Sequence, residues 1–247
     1  MRALGFLPAL AALCSVASAA VDLRNAAIVV RPDAPTPEKK AAQMLMEEIA
    51  KRTQIRLPII DTPTSGRQSI TIGTSRELGS AAAGLPSVTD GADGFRVKAS
   101  AAGVVIAGNN PRGALFGTGY LLRNLRMERQ VLQVDERLQV STAPRYRLRG
   151  HQLGYRPKVN TYDGWTPAQF EQYIRDLVVF GTNAIELIPP RSDDAEDSPH
   201  FLLPKIEMME QVSRICASTG SMCGSGIRRW TEFRCGCPAL VDAEVRL

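Results

Sequence analysis

The residues whose types and spacing point most directly to chemistry in this chain are Arg149, His151, Tyr155 and Glu186. Arg149 offers a rigid planar fork of N–H donors suited to ligand hydroxyls; the competing role is a surface ion pair at a strand end. His151 and Tyr155 follow in the same stretch, where an aromatic face can stack on a ligand ring or simply pack. Glu186 lies inside an apolar run, Asn183 to Ile188, that reads as a strand. An acid there needs a partner, which is either a substrate or Arg149. Other polar clusters carry less. Asp193, Asp194, Glu196 and Asp197 with His200 lack the spacing and glycine of a calcium loop and read as a solvated loop. Cys223, Cys235 and Cys237 make no paired Cys-x-x-Cys spacing for zinc. Phosphate-cradling motifs are missing, because Gly117-Thr118-Gly119 falls within a helix pattern and not at its start. No metal or cofactor is expected.

The elements that must position these residues fall into two groups. Ala26 to Val30 reads as a short buried strand, and Thr36-Pro37-Glu38 opens a helix to about Thr53, with Thr36 as N-cap. Ala42, Leu45, Met46, Ile49 and Ala50 recur along one face of it. Strands are expected at Leu57 to Ile60 and Ser69 to Ile72, a small-residue helix near Arg76 to Ala83, and a hairpin from Gly94 to Lys98 and Val104 to Ala107. Arg112 to Leu125 is then helical. Mixed strands and helices of this size imply an α+β sandwich of roughly 120 residues. From Pro144 the pattern becomes a strand start at Arg147 to Gly150, a helix capped by Thr166-Pro167 and ending at Gly181, the strand at Asn183, and a helix from Lys205 to Ala217. That order opens a parallel α/β array, yet an eight-unit barrel needs about 250 residues and only about 75 follow Pro144 before periodicity stops.

It stops near Gly220. Ser221 to Leu247 has no apolar stripe to bury. A reading-frame slip would account for this: one back-translation of Gly220 to Arg229, read two bases on, encodes FDVWIWYP, a strand-like run where a strand is due. The alternative is a natural disordered or cysteine-rich tail. At the other end, Arg2, an apolar run from Ala3 to Val16 and Ala17-Ser18-Ala19 form a signal-peptide pattern that predicts secretion or a periplasmic location. Leu13 before Cys14 argues against a lipoprotein anchor, and the run is too short to span a bilayer. Between leader and tail only Cys216 remains, so no intramolecular disulfide is expected there. With 30 basic against 25 acidic residues dispersed along the chain, the charge reads as a solvated surface and excludes a nucleic-acid groove.

Three segments in sequence carry a resemblance: Asp90-Gly91-Ala92-Asp93-Gly94-Phe95-Arg96-Val97, Gly103-Val104-Val105-Ile106-Ala107-Gly108-Asn109, and Arg112-Gly113-Ala114-Leu115-Phe116-Gly117. Together they resemble the accessory domain that precedes the barrel in family 20 β-N-acetylhexosaminidases and family 67 α-glucuronidases, over about Ala26 to Val140. Arg149-Gly150 matches the position of an Arg-Gly strand that delivers a sugar-binding arginine in the hexosaminidases. The resemblance implies an α+β accessory domain (mixed sheet with packed helices) at residues 20–143 and the first βα units of an incomplete (β/α)8 barrel at 144–220. Residues 1–19 are then the leader, and 221–247 an aberrant tail. It also implies a carbohydrate partner and, in the full-length form, hydrolysis of O-glycosyl bonds. Arg149, His151, Tyr155 and Glu186 become substrate-binding candidates. Glycoside hydrolysis usually needs two carboxyl groups flanking the bond, which the resembling enzymes place on later barrel strands, so no catalytic residue is assigned. A non-catalytic carbohydrate-binding domain and a non-functional fragment are the rival readings.

Overall fold

The computed structural model describes residues 19–87, 89–152, 164–187 and 202–225, which form a mixed α/β fold. Strand β1 (Ala20–Asp22) and β2 (Ala27–Val29) lead into helix α1 (Thr36–Thr53). Then come β3 (Ile59–Ile60), β4 (Ser69–Thr74), the short α2 (Ser75–Leu78), β5 (Phe95–Ser100), β6 (Gly103–Gly108) and α3 (Pro111–Asn124). Three more strands follow, β7 (Arg126–Glu128), β8 (Val131–Asp135) and β9 (Gln139–Thr142). The second group is β10 (Gly150–Gln152), α4 (Pro167–Val179), β11 (Ala184–Leu187), α5 (Lys205–Thr219) and β12 (Met222–Ser225).

The strands form a six-stranded sheet in the order β3-β2-β4-β6-β5-β9, a three-stranded antiparallel sheet β1-β8-β7, and a three-stranded parallel sheet β10-β11-β12. In the large sheet β2, β3, β4 and β6 run parallel, and the expected hairpin supplies antiparallel β5. Helices α1 and α3 cover this sheet and also meet α4 and α5, which serve the parallel strands. One apolar core runs through these layers, from Ile28, Leu45, Ile70 and Ile106 to Leu121, Ile174, Ile185 and Val212. Gly103 shows how tightly the sheet is built: a Cβ there would lie 2.0 Å from the Ser69 carbonyl oxygen, and its φ is +122°.

The structure departs from the sequence reading at several points. The short strands β1, β7, β8 and β9 had no expectation; at three to five residues each they are too short for a two-residue alternation to stand out. Thr36 is not the N-cap of α1 but its first residue; Pro35 takes the cap position without a side-chain bond. Thr166 does cap α4, accepting from Gln169 N while the Gln169 side chain accepts from Thr166 N, so both ends of a capping box are closed. The parallel sheet runs past Gly220, because that glycine takes a left-handed cap (φ +67°) and Met222–Ser225 pairs with β11 through main-chain bonds. Ladder bonds need no apolar alternation, which is why residues without a stripe still form a strand.

Glu38, in the first turn of α1, faces inward, where it is 1% exposed and its Oε1 has no hydrogen-bond partner among the described residues. Burial, then the neighbouring Glu77 carboxylate, push its carboxyl up from 4.5 to about 7; the Arg31 guanidinium opposes this and Asp33 adds to it. Glu77 holds its charge by accepting from the Thr74 amide (3.1 Å) and hydroxyl (2.7 Å). Between the unfolded and folded values the native state binds the extra proton, so stability falls as pH rises through that window. Urea unfolding should show a loss on the order of 3 kcal/mol between about pH 5 and 8 from this group. Glu38→Gln should flatten that slope and be the more stable protein at pH 8. An unchanged slope would refute the pairing.

Candidate functional site

Where the two groups of elements meet, the carboxylate of Asp93 sits 4% exposed in the turn that leads into β5. Its Oδ1 accepts from Arg112 Nε (2.8 Å) and Asn110 Nδ2 (3.3 Å). Its Oδ2 accepts from Arg149 Nη2 (2.7 Å) and Asn183 Nδ2 (3.3 Å). Burial alone would raise this carboxyl, but the hydrogen bonds from Arg112 and Arg149 outweigh it and hold the group below its ordinary value. Three of the four donors lead to different strands of the parallel sheet. Arg149 immediately precedes β10, Asn183 immediately precedes β11, and Arg112 passes the contact on through Nη1 to the Gly220 carbonyl (2.8 Å), just before β12.

Arg149 is largely occupied here. Beyond Asp93, its Nε donates to Gly181 O (2.6 Å) and Nη1 to Tyr146 O (2.8 Å), while the guanidinium carbon stands 5.1 Å from the Phe116 ring centroid. Asn183 locks the same corner, accepting the Arg149 amide (2.8 Å) and donating to Arg147 O (2.8 Å). The ion pair expected for an arginine at a strand end is therefore present, but its acid is Asp93 and not Glu186. Asp93 lies in the glycine-rich stretch singled out in the sequence, yet nothing there distinguished it from a turn acid. Gly91, at φ +139°, and the close approach of Gly94 to the Asn109 side chain are the signals that the turn is built to aim a side chain.

The parallel sheet sorts the remaining candidates by face. His151, Ile185 and Cys223 are register partners and look toward the helices. The His151 Nε2 is 2.9 Å from the Tyr173 hydroxyl on α4, and Tyr173 packs edge-on against Trp165. Ile185 is fully buried. The Cys223 Sγ lies 3.4 Å from the Ser213 hydroxyl, and the neighbouring Cys216 thiol on α5 lowers its pKa; both cysteines are free thiols. Since side chains alternate along a strand, the next register row, Gln152 and Glu186, points to the face away from the helices. Gln152 is exposed and Glu186 half-buried, side by side toward the carboxyl ends of their strands. The structure thus brings Gln152, unremarked in the sequence, next to Glu186, and separates His151 and Arg149 from both. Tyr155, the acidic loop with His200, and Cys235 and Cys237 lie outside the described residues. Among the described residues no cluster of three potential metal ligands occurs.

The fold is shared with solved enzymes. A Streptomyces plicatus β-hexosaminidase, bound to the product GlcNAc, superposes with TM-score 0.60 at 16% identity over 84% of this chain and 42% of its own. A family GH115 4-O-methyl-α-glucuronidase gives 0.61 at 14% identity over 84% of this chain and 29% of its own. A Vibrio harveyi GH20 exo-β-N-acetylglucosaminidase bound to N-acetylglucosamine gives 0.57 at 15% identity over 90% and 36%. The fold is glycoside hydrolase-like. The chain spans well under half the length of these structures. No protein-family model matches it, and no curated protein does.

The Asp93 cluster makes a direct prediction. Asp93→Asn removes the charge between two arginines that are only 19% and 24% exposed in their side chains, and should cost about 2–4 kcal/mol in urea unfolding. The wild-type advantage should be full above the ordinary carboxylate value and vanish as pH falls through the lower folded one. Arg149→Lys, whose point charge cannot serve Asp93, Gly181 and Tyr146 at once, should lose about half as much. A loss below about 1 kcal/mol for Asp93→Asn would show the cluster to be dispensable.

Proposed function

We propose that this chain is the opening part of a secreted or periplasmic glycoside hydrolase: an α+β accessory domain over residues 20–143, followed by the first βα units of a (β/α)8 barrel. The observation that supports this most is the coupling of a parallel β10-β11-β12 sheet to the preceding α/β unit, an order shared with solved hexosaminidases and a glucuronidase over 84% of this chain. In barrels of this kind substrate is held at the carboxyl ends of the strands and by the loops that follow them. Glu186 and Gln152 lie toward those ends, on the face away from the helices, and we assign them the carbohydrate contact, with Tyr155 on the segment that follows β10. Arg149 and His151, by contrast, are read as positioning residues that seat β10.

The reaction proposed for the polypeptide carrying the whole barrel is hydrolysis of an O-glycosyl bond by a pair of carboxyl groups, one protonating the leaving oxygen and the other attacking or activating water. Glu186 is offered as a hydroxyl acceptor and not as either of that pair. A Glu carboxylate beside a Gln amide supplies acceptors and donors together, which suits vicinal sugar hydroxyls.

Purified chain offered a panel of aryl glycosides and their free sugars should show no turnover, with saturable thermal stabilisation by at least one sugar. Glu186→Gln with Gln152→Ala should abolish that stabilisation while leaving the unliganded melting temperature within about 2 °C. Robust turnover would place the catalytic pair within these residues. Sugar stabilisation that survives the double substitution, or none with any sugar, would overturn the assigned face.

A further inference from the structure

We propose that Cys216 and Cys223 form a dithiol–disulfide site, which a disulfide oxidant closes to lock the third parallel strand, β12, to helix α5. The two thiols meet across the helix-to-strand turn. Cys216 sits in the last turn of α5, fully buried in the core, and Cys223 in β12, half-buried and in contact with that core. Ser213, one helical turn before Cys216, touches the Cys223 sulfur at 3.4 Å, so the helix face that carries Cys216 is also the face that receives Cys223. The turn between them is fixed by its own bonds: Gly220 N donates to Ala217 O (3.0 Å), Ser221 N to Cys216 O (3.0 Å), and the Thr219 hydroxyl to the Ser221 hydroxyl (2.8 Å). Gly220 is further held by Arg112. A turn held in this way keeps the sulfurs together without requiring the chain to search for closure.

The roles of the two cysteines differ. Cys223 is the accessible member, and hydrogen bonds from the Cys216 thiol, opposed by burial and aided by Ser213, lower its pKa and raise its thiolate fraction. With glutathione disulfide as oxidant, the Cys223 thiolate attacks one sulfur, forms a mixed disulfide and releases one glutathione thiolate. The Cys216 thiol then gives up its proton and attacks the Cys223 sulfur, expelling the second glutathione. The protein dithiol is oxidised by two electrons and one glutathione disulfide is reduced to two thiols. Outward reduction follows the same path in reverse.

Trypsin places the test within one peptide, Ile215 to Arg228, which holds Cys216 and Cys223 and no other cysteine. Folded full-length chain is equilibrated across ratios of reduced to oxidised glutathione, quenched with an alkylating reagent and mapped by mass. The expected product is that peptide lighter by two hydrogens and carrying no alkyl group. Its midpoint should lie at a roughly ten-fold or more reducing ratio than for the same synthetic peptide free in solution. Cys223→Ser should leave Cys216 alkylated only after unfolding. Double alkylation at every ratio, a stable glutathione adduct on Cys223 without closure, a cross-link from Cys223 to the peptide holding Cys235 and Cys237, or a midpoint equal to that of the free peptide would each overturn the site.

Discussion

A buried carboxylate is tolerated only where donors replace the water it has lost, and Asp93 meets that condition by gathering donors that belong to different elements. Because those donors stand at the amino ends of β10 and β11, with Arg112 reaching on to the turn before β12, satisfying one acid fixes where three strands begin. The register of the parallel sheet, Gly150 beside Ala184 and Ala184 beside Met222, follows from that corner. A one-residue slip would exchange the buried Ile185 with Glu186 and leave both worse placed.

The contacts differ from one part of these strands to another. The amino ends are consumed by the Asp93, Arg149 and Asn183 contacts, with Phe116 beneath the guanidinium. The helix-facing row is consumed by packing, His151 on Tyr173 and Ile185 in the core. What is left over is the opposite face toward the carboxyl ends, the only part of β10 and β11 among the described residues where polar groups are not already engaged in holding the fold. Gln152 and Glu186 stand there. The acid that sat oddly in an apolar strand is thus placed on the face away from the helices, while Arg149 is engaged with Asp93, Gly181 and Tyr146.

Long, strongly periodic elements were legible in the sequence because burial itself writes the period: α1, α3, α4 and α5 all lie where the apolar spacing places them, and the β5–β6 hairpin follows its glycine turn. What could not be read was whatever depended on contacts across the chain. Glu38 looks like a favourable first-turn acid until the fold buries it beside Glu77. Asp93 looks like a turn acid until Arg149, fifty-six residues on, arrives to meet it. In each case the local residue type was informative and the partner was not, since pairing over such separations is decided by tertiary geometry.

The same reasoning explains why the helices between the two sheets are joined by both close packing and charge. At Gly119 on α3 a Cβ would fall 2.8 Å from the Val179 Cα, so α4 approaches α3 at backbone distance and only glycine allows it. Beside this contact the seam between α1 and α4 is polar: Lys40 and Arg175 both reach Glu171, Arg175 also bonds Glu47, and Gln172 reaches Glu48. Arg175 is 6% exposed, and an arginine so buried is stable only with its carboxylates in place. An apolar seam could slide. One made of a glycine notch and matched charges admits a single docking, so α4 and α5 reach the parallel strands already oriented by the six-stranded sheet and its helices. A three-stranded parallel sheet has too little surface of its own to hold a register, and here it does not need to.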